Sequence, residues 1–282
     1  MIRLVPHVRV LGPGDVAAAL ELLAKDPVVN VFADYRTRIT QLDTRWLGGE
    51  MWGYYVQDDE LVSMCHVGAN LVPVNATPDA CDAFAQKATR SGRRSSTIVG
   101  PQDAVRRLWS GLELHWSEPR EFRWEQPHLV TTRPSPVAPD PLVRRTTREE
   151  AETLYPACVA MYTEEVGVSP EADGGGDLYR ARVNQLVGRG WSFSRIRDGR
   201  VEFKAEVACA TPGACQIQGV YVDPALRGQG LATAGMAAVV EHCLREIAPS
   251  VSLYVNAHNH AARTAYEGAG FEQSDTFATI MF

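Results

Sequence analysis

The sequence predicts an α/β protein of the mixed, α+β type, made of two similar halves. Three observations carry that reading. The apolar period alternates along the chain between the every-second-residue spacing of strands and the i, i+3, i+7 spacing of helices. The length of 282 residues suits two domains at about 100–200 residues each. Between them, residues 131–141 (TTRPSPVAPDP) hold four prolines and little apolar periodicity, the composition of a semi-extended linker. The predicted organisation is a first domain over 1–130, a linker over 131–141 and a second domain over 142–282.

The halves open alike. Val8, Arg9 and Asp15 in the first recur as Val143, Arg144 and Glu150 in the second, at the same spacing, each a strand followed by an acidic residue entering a helix. Further on, WGYYV from Trp52 turns at Asp58-Asp59 and returns as ELVSMCHV. WSFSRI from Trp191 likewise turns at Asp198-Gly199 and returns as VEFKAEVACA, and Asp-Gly between alternating runs is a strong hairpin signal. The second half then continues with a strand (215–223), a helix (231–247), a strand (251–256), a helix (261–269) and a strand (275–282), after two earlier helices over 147–165 and 178–189. On the helix from Leu231, residues Leu231, Ala234, Ala238 and Val239 share one face, which suits packing on a sheet.

Composition narrows function. A formal net charge of −6 gives no basic stripe for nucleic acid or anionic lipid. No run reaches the ~18 apolar residues of a spanning helix, and the N-terminus has no signal-peptide pattern, so the expected location is the cytoplasm. The six cysteines are scattered without a C-x-x-C pair and read as small buried residues, so no metal is expected.

The chemistry concentrates in two stretches. In VYVDPALRGQGLATAG a strand and a short turn lead to Arg227, Gly228, Gln229, Gly230, Leu231, Ala232 and Thr233 at a helix start. Glycines let backbone N–H groups approach an anion, and the helix N-terminus favours negative charge. In the second stretch Asn259, Ala262 and Tyr266 share a helix face at i, i+3, i+7 and can line one groove.

Together, R-x-x-G-x-A after the strand end and L-x-V-x-x-x-N-x-x-A-x-x-x-Y-x-x-x-G-F resemble the GCN5-related N-acetyltransferase (GNAT) superfamily over about residues 142–282. The two-half plan resembles its tandem members, including the mycothiol synthase type and an uncharacterised actinobacterial group. The resemblance implies a tandem acyl-CoA N-acyltransferase fold with a split between 215–222 and 251–256 that takes the pantetheine arm of acetyl-CoA. Val220, Tyr221 and Val222 then offer strand-edge backbone groups, 228–233 wrap the pyrophosphate beside Arg227, Asn259 contacts the arm or acceptor side, and Tyr266 sits near the sulfur. A phenol there can protonate the leaving thiolate.

The sequence departs from the family at Gln216, where many members carry a glutamate base and an amide cannot accept the proton. Glu206, His258 and Glu164 are candidates in that order, beside a water relay or an acceptor that arrives neutral. The stretch TEEVGVSPEADGGGDLYR reads as a lid or as a solvated loop, its acids Glu164 and Glu165 able to attract a cationic amine. The expected function is acetyl transfer to a primary amine of a small molecule, peptide or protein by direct attack; the alternative is a CoA-binding sensor without turnover. The first half is expected to lack the site. Self-alignment puts Asp79 at the place of Arg227, Asp82 at Gly230, Phe84 at Ala232 and Ser110 at Tyr266, two carboxylates and a ring closing the phosphate groove.

Overall fold

The computed structural model describes residues 6–56 and 59–282, so Asp58 of the first expected hairpin turn lies outside the described residues. The chain forms two compact units. The first runs through His128 and takes in Tyr254–Ala257 and Gln273–Phe282; the second comprises Leu129–Leu253 and His258–Glu272. The C-terminal strand, placed in the second half by the sequence reading, is thus part of the first unit.

In the first unit the strands are β1 (His7–Val10), β2 (Glu50–Tyr55), β3 (Leu61–Val67), β4 (Asn70–Val74), β5 (Thr97–Pro101), β6 (Glu121–Thr131) and, from the chain end, β12 (Glu272–Met281). Their order is β1-β2-β3-β4-β5-β12-β6, with β4 and β5 parallel and β12 antiparallel to β5. Helices α1 (Val16–Leu23), α2 (Val31–Thr40), α3 (Thr44–Leu47), α4 (Pro78–Ser91) and α5 (Gln102–Leu112) accompany them. Phe84 of α4 is wholly buried with Trp52 and Tyr54, its ring 6.4 Å from that of Tyr54. It fills the core and does not block the start of α4, which corrects the expected steric closure.

The second unit contains β7 (Arg144–Arg145), α6 (Ala151–Val166), α7 (Gly176–Gly188), β8 (Ser192–Arg197), β9 (Arg200–Ala210), β10 (Cys215–Val222), α8 (Leu231–Glu246), β11 (Val251–Tyr254) and α9 (His260–Gly268). Its strand order is β11-β10-β9-β8-β7. The β8–β9 turn puts Asp198 (φ 50°) and Gly199 (φ 73°) in the left-handed region, as a two-residue hairpin turn requires. On one face of β9, Phe203 is fully buried, and α8 lies close against it because Gly235 has no side chain: a Cβ there would meet the ring at 2.7 Å. Burying one such ring stabilises by roughly 1.5–3 kcal/mol. The proline-rich stretch is pinned within this unit, since Asp140 accepts from Arg195 Nη1 at 2.6 Å and its N–H donates to the Ala234 carbonyl at 3.0 Å.

The two units repeat one device at the residues the sequence paired. Arg9 makes two bonds to Asp15 at 2.7 and 2.9 Å, and Arg144 makes two to Glu150 at 2.6 and 2.8 Å. Each carboxylate also accepts the backbone N–H three residues earlier, Gly12 or Thr147, closing a capping box at a helix entrance. Burial opposes but does not outweigh the Arg144 bond, which holds Glu150 down to about 2. Among the described residues no helix is long and apolar enough to cross a membrane.

Candidate active site

In the second unit β10 and β11 run parallel for two rungs only, Cys215 with Val251 and Gln216 with Ser252. Beyond Gln216 the strands part, leaving Val220, Tyr221 and Val222 half-buried rather than laddered on that side. A bulge sharpens the divergence. Gln218 faces Glu206 and Tyr221 faces Lys204, so Gly219 and Val220 together stand opposite Ala205. Gly219 has φ +60°, a conformation that favours glycine.

The chain then enters α8 through Asp223, a turn at Pro224–Leu226, and the glycine-rich segment. Gly228 (φ 76°) and Gly230 (φ 78°) are both left-handed, and no atom lies within 4 Å of where either Cβ would be. Gly230 is the N-cap and supplies no side chain, so the first donors of a 16-residue helix are uncapped by side chains. The equivalent helix of the first unit is different. There Thr77 Oγ1 accepts from the Ala80 N–H at 3.3 Å and Pro78 has no N–H to offer. An open, glycine-lined N-terminus suits a bound anion; a capped one does not.

α9 packs on the first turn of α8 where Gly268 lets Thr233 approach, a Cβ there lying 3.1 Å from Thr233 Cγ2. Asn259 caps α9, its Oδ1 accepting from the Ala262 N–H at 3.1 Å. Tyr266 is 7% exposed, with Phe271 edge-on at 6.2 Å. Burial raises its phenol pKa and the Glu165 carboxylate raises it further, so the end of α6 reaches this residue electrostatically.

Residues 159–271 match the acetyltransferase (GNAT) family. Residues 49–154 match a domain of unknown function, DUF4081. A mycothiol acetyltransferase from Brachybacterium faecium is 34% identical over 158 residues, 52% of this chain and 46% of that relative, so the chain spans under half of it. A GCN5-related N-acetyltransferase from Sphaerobacter thermophilus shares the fold at TM-score 0.61 and 17% identity, over 98% of this chain and 94% of that one. A tandem GNAT protein from the clavulanic acid biosynthesis pathway does so at 0.58 and 15%, over 97% and 98%.

Within the GNAT domain the predicted residues fall into two groups. Arg227, Gly228, Gln229, Gly230, Leu231, Ala232 and Thr233 form the turn and first helical residues, with Val220, Tyr221 and Val222 on the strand leading into them. Arg227 is engaged already, donating to both oxygens of Glu164 at 2.9 and 2.7 Å. This places Glu164 and Glu165 at the same end of the domain as the glycine turn and Tyr266. The other acids of the α6–α7 segment are spread out, Glu171 accepting from Tyr155 Oη at 3.1 Å. His258 is exposed.

Glu206 is 7% exposed, so it is not on a solvated strand face. Its Oε2 accepts from Lys204 Nζ at 3.1 Å and its Oε1 from Gln218 Nε2 at 2.9 Å. Sequence reasoning missed Lys204, Gln218 and the bulge; the signal available was a glycine inside a strand pattern, which marks a bulge or a close approach. A cavity of about 590 Å³ opens nearby along α7, lined by Tyr162, Leu178, Tyr179 and Arg182 among others and mostly apolar.

Proposed function

We propose that the GNAT domain transfers the acetyl group of acetyl-CoA to a primary amine by direct attack in a ternary complex, with no covalent enzyme intermediate. The observation that carries this reading is the pairing of a strand split after two rungs with an uncapped helix start led by Gly228 and Gly230. Those residues fit the coenzyme: open backbone donors and Arg227 match a pyrophosphate, and Val220, Tyr221 and Val222 offer strand-edge groups to an amide-bearing arm. Asn259 and Ala262 border the same groove.

Bound acetyl-CoA supplies an acyl group activated as a thioester. Glu206 takes the amine's proton as the C–N bond forms, and Tyr266 gives its phenolic proton to the sulfur as the C–S bond breaks. The phenol, its pKa raised by burial and by Glu165, enters the reaction protonated. Glu164 and Glu165 draw a cationic acceptor toward the site, and Arg227 must loosen from Glu164 to meet phosphate. The name of the mycothiol acetyltransferase relative supports a small-molecule amine as acceptor, and the location proposed is the cytoplasm.

Gln216 supports a second reading, a CoA-binding sensor, because the amide stands where many members hold a base. A thiol-release assay over amino acids, amino sugars and peptides separates the two. Amine-dependent release of CoA with an acetylated product by mass supports the enzyme; tight acetyl-CoA binding with release no faster than buffer supports the sensor.

A further inference from the structure

β9 alternates ionisable and apolar residues, Glu202, Lys204 and Glu206 against Phe203, Ala205 and Val207. On a half-exposed strand the charged set faces water. Here it faces protein: Lys204 has 0% exposure, the fully buried ammonium lying 3.1 Å from Glu206 Oε2. The pair lies against the bulge of β10. A Cβ on Gly219 would stand 3.0 Å from Glu206 Cδ, 3.1 Å from Lys204 Nζ and 3.1 Å from Met161 Cε of α6. Lys204 and Glu206 therefore abut the residue that opens the strand segment assigned to the pantetheine arm.

A carboxylate removed from water with no counter-charge takes up a proton instead of staying ionised, and a neutral carboxylic acid is far too weak a base to take the amine's proton. We propose that Lys204 is a positioning residue for acetyl transfer: its buried ammonium holds Glu206 ionised and directed at the β10 bulge, so that the base begins each turnover unprotonated. This rests on the reading of Glu206 as the base. Lys204 and Gln218 occupy one site on each carboxylate oxygen, and the remaining lone pairs stay available to an incoming amine. The other titratable groups against the pair are Cys158 on α6, Tyr179 on α7 and Tyr221, in register with Lys204 on β10. Burial raises all three, so none brings a charge near neutrality. On β8 the residues in register are the neutral Ser192 and Ser194. Lys204 is the one fixed positive charge bonded to Glu206 among the described residues.

The test is the acid limb of the kcat/KM profile of the full chain, with the acetyl-CoA dissociation constant measured beside it. Lys204→Gln keeps a hydrogen-bond donor and removes the charge; the limb is expected to move up by about one pH unit or more, a roughly tenfold loss below it, with coenzyme affinity held within about twofold. A folded Lys204→Gln whose limb stays in place overturns the proposal. Gln218→Lys, at an exposed position, needs no change to the buried layer and should move the limb the opposite way by adding a second ammonium beside Glu206. If Lys204→Gln does not fold, an unmoved limb in Gln218→Lys overturns the proposal by itself. Glu206→Gln separates the two levels. Loss of the limb there keeps Glu206 as base whatever Lys204 does, whereas a wild-type limb removes Glu206, and the role of Lys204 with it.

Discussion

Tyr266 is buried on α9 with its phenol pKa raised by burial and by Glu165, and in the proposed reaction it is the group that protonates the leaving sulfur. A donor that acts only as the thiolate forms contributes to the transition state and little to coenzyme binding. Tyr266→Phe is therefore expected to lower kcat by roughly 10² while calorimetry finds acetyl-CoA affinity within about twofold; unchanged turnover removes Tyr266 from the chemistry. Two histidines of the first unit set a different dependence. His66, bonded through Nδ1 to the Asn70 carbonyl at 3.1 Å, and His128, 3.0 Å from Ser274 Oγ, are both pushed down to about 4 by burial. Below about 6.5 an unfolded chain protonates these rings while the folded one does not until about pH 4. Stability is full above that upper value and falls as pH drops toward 4, by about 1.4 kcal/mol per pH unit for each ring. Denaturant titrations at pH 7 and 5 should show this loss, and His128→Gln should remove about half of it. A slope that His128→Gln leaves unaltered contradicts the assignment.

The element that matters most is the passage from β10 through the glycine turn into α8. In the proposed function it binds phosphate through backbone donors, so a side chain introduced at the N-cap acts directly. Gly230→Asp puts a carboxylate on a left-handed residue and beside the open N–H groups, where it caps the helix and repels phosphate. Acetyl-CoA binding is expected to fall below detection by calorimetry with the fold intact by circular dichroism; wild-type affinity in that variant defeats the placement of the phosphate site. This passage was legible in the sequence because glycine spacing and helix periodicity are local signals. So was the hairpin at Asp198-Gly199. The layer under α6 was not: Lys204 and Glu206 alternate with apolar residues, and alternation alone cannot say whether the polar face meets water or another helix. Only the packing of α6 on that face decides it. Asn259 shows the opposite lesson, a residue marked by motif whose bond here is a helix cap.

At the scale of the molecule, the strand over 275–282 announces itself by alternation, but its partner does not, because pairing with β5 joins residues about 180 positions apart. The sequence reading therefore kept it with its neighbours in the chain, while the fold assigns it to the first unit. That assignment shapes the last prediction, that the chain binds one acetyl-CoA. The first unit repeats the general plan, including a parallel pair of two rungs, Asn70 with Thr97 and Leu71 with Ile98. The passage from its β4 into α4 is unsuited to a pyrophosphate. Pro73 has no N–H at the strand edge and lies 3.3 Å from where a Gly100 Cβ would stand; Thr77 caps α4; Pro78 removes another donor. Asp79 adds a negative charge in the first turn, and Asp82 comes one turn later, bonded to Arg107 at 2.5 and 2.6 Å. A dianion arriving there meets capped donors and like charge, whereas the turn at Gly228–Gly230 offers open donors and Arg227. A fragment ending near residue 130 lacks β12 and so misrepresents the first unit, which makes the full chain the right material. Titration of acetyl-CoA into the full chain should give a stoichiometry near one, and Gly230→Asp should abolish all of it. A stoichiometry near two, or binding that survives Gly230→Asp with its own saturable affinity, would place a second site in the first unit and overturn the prediction.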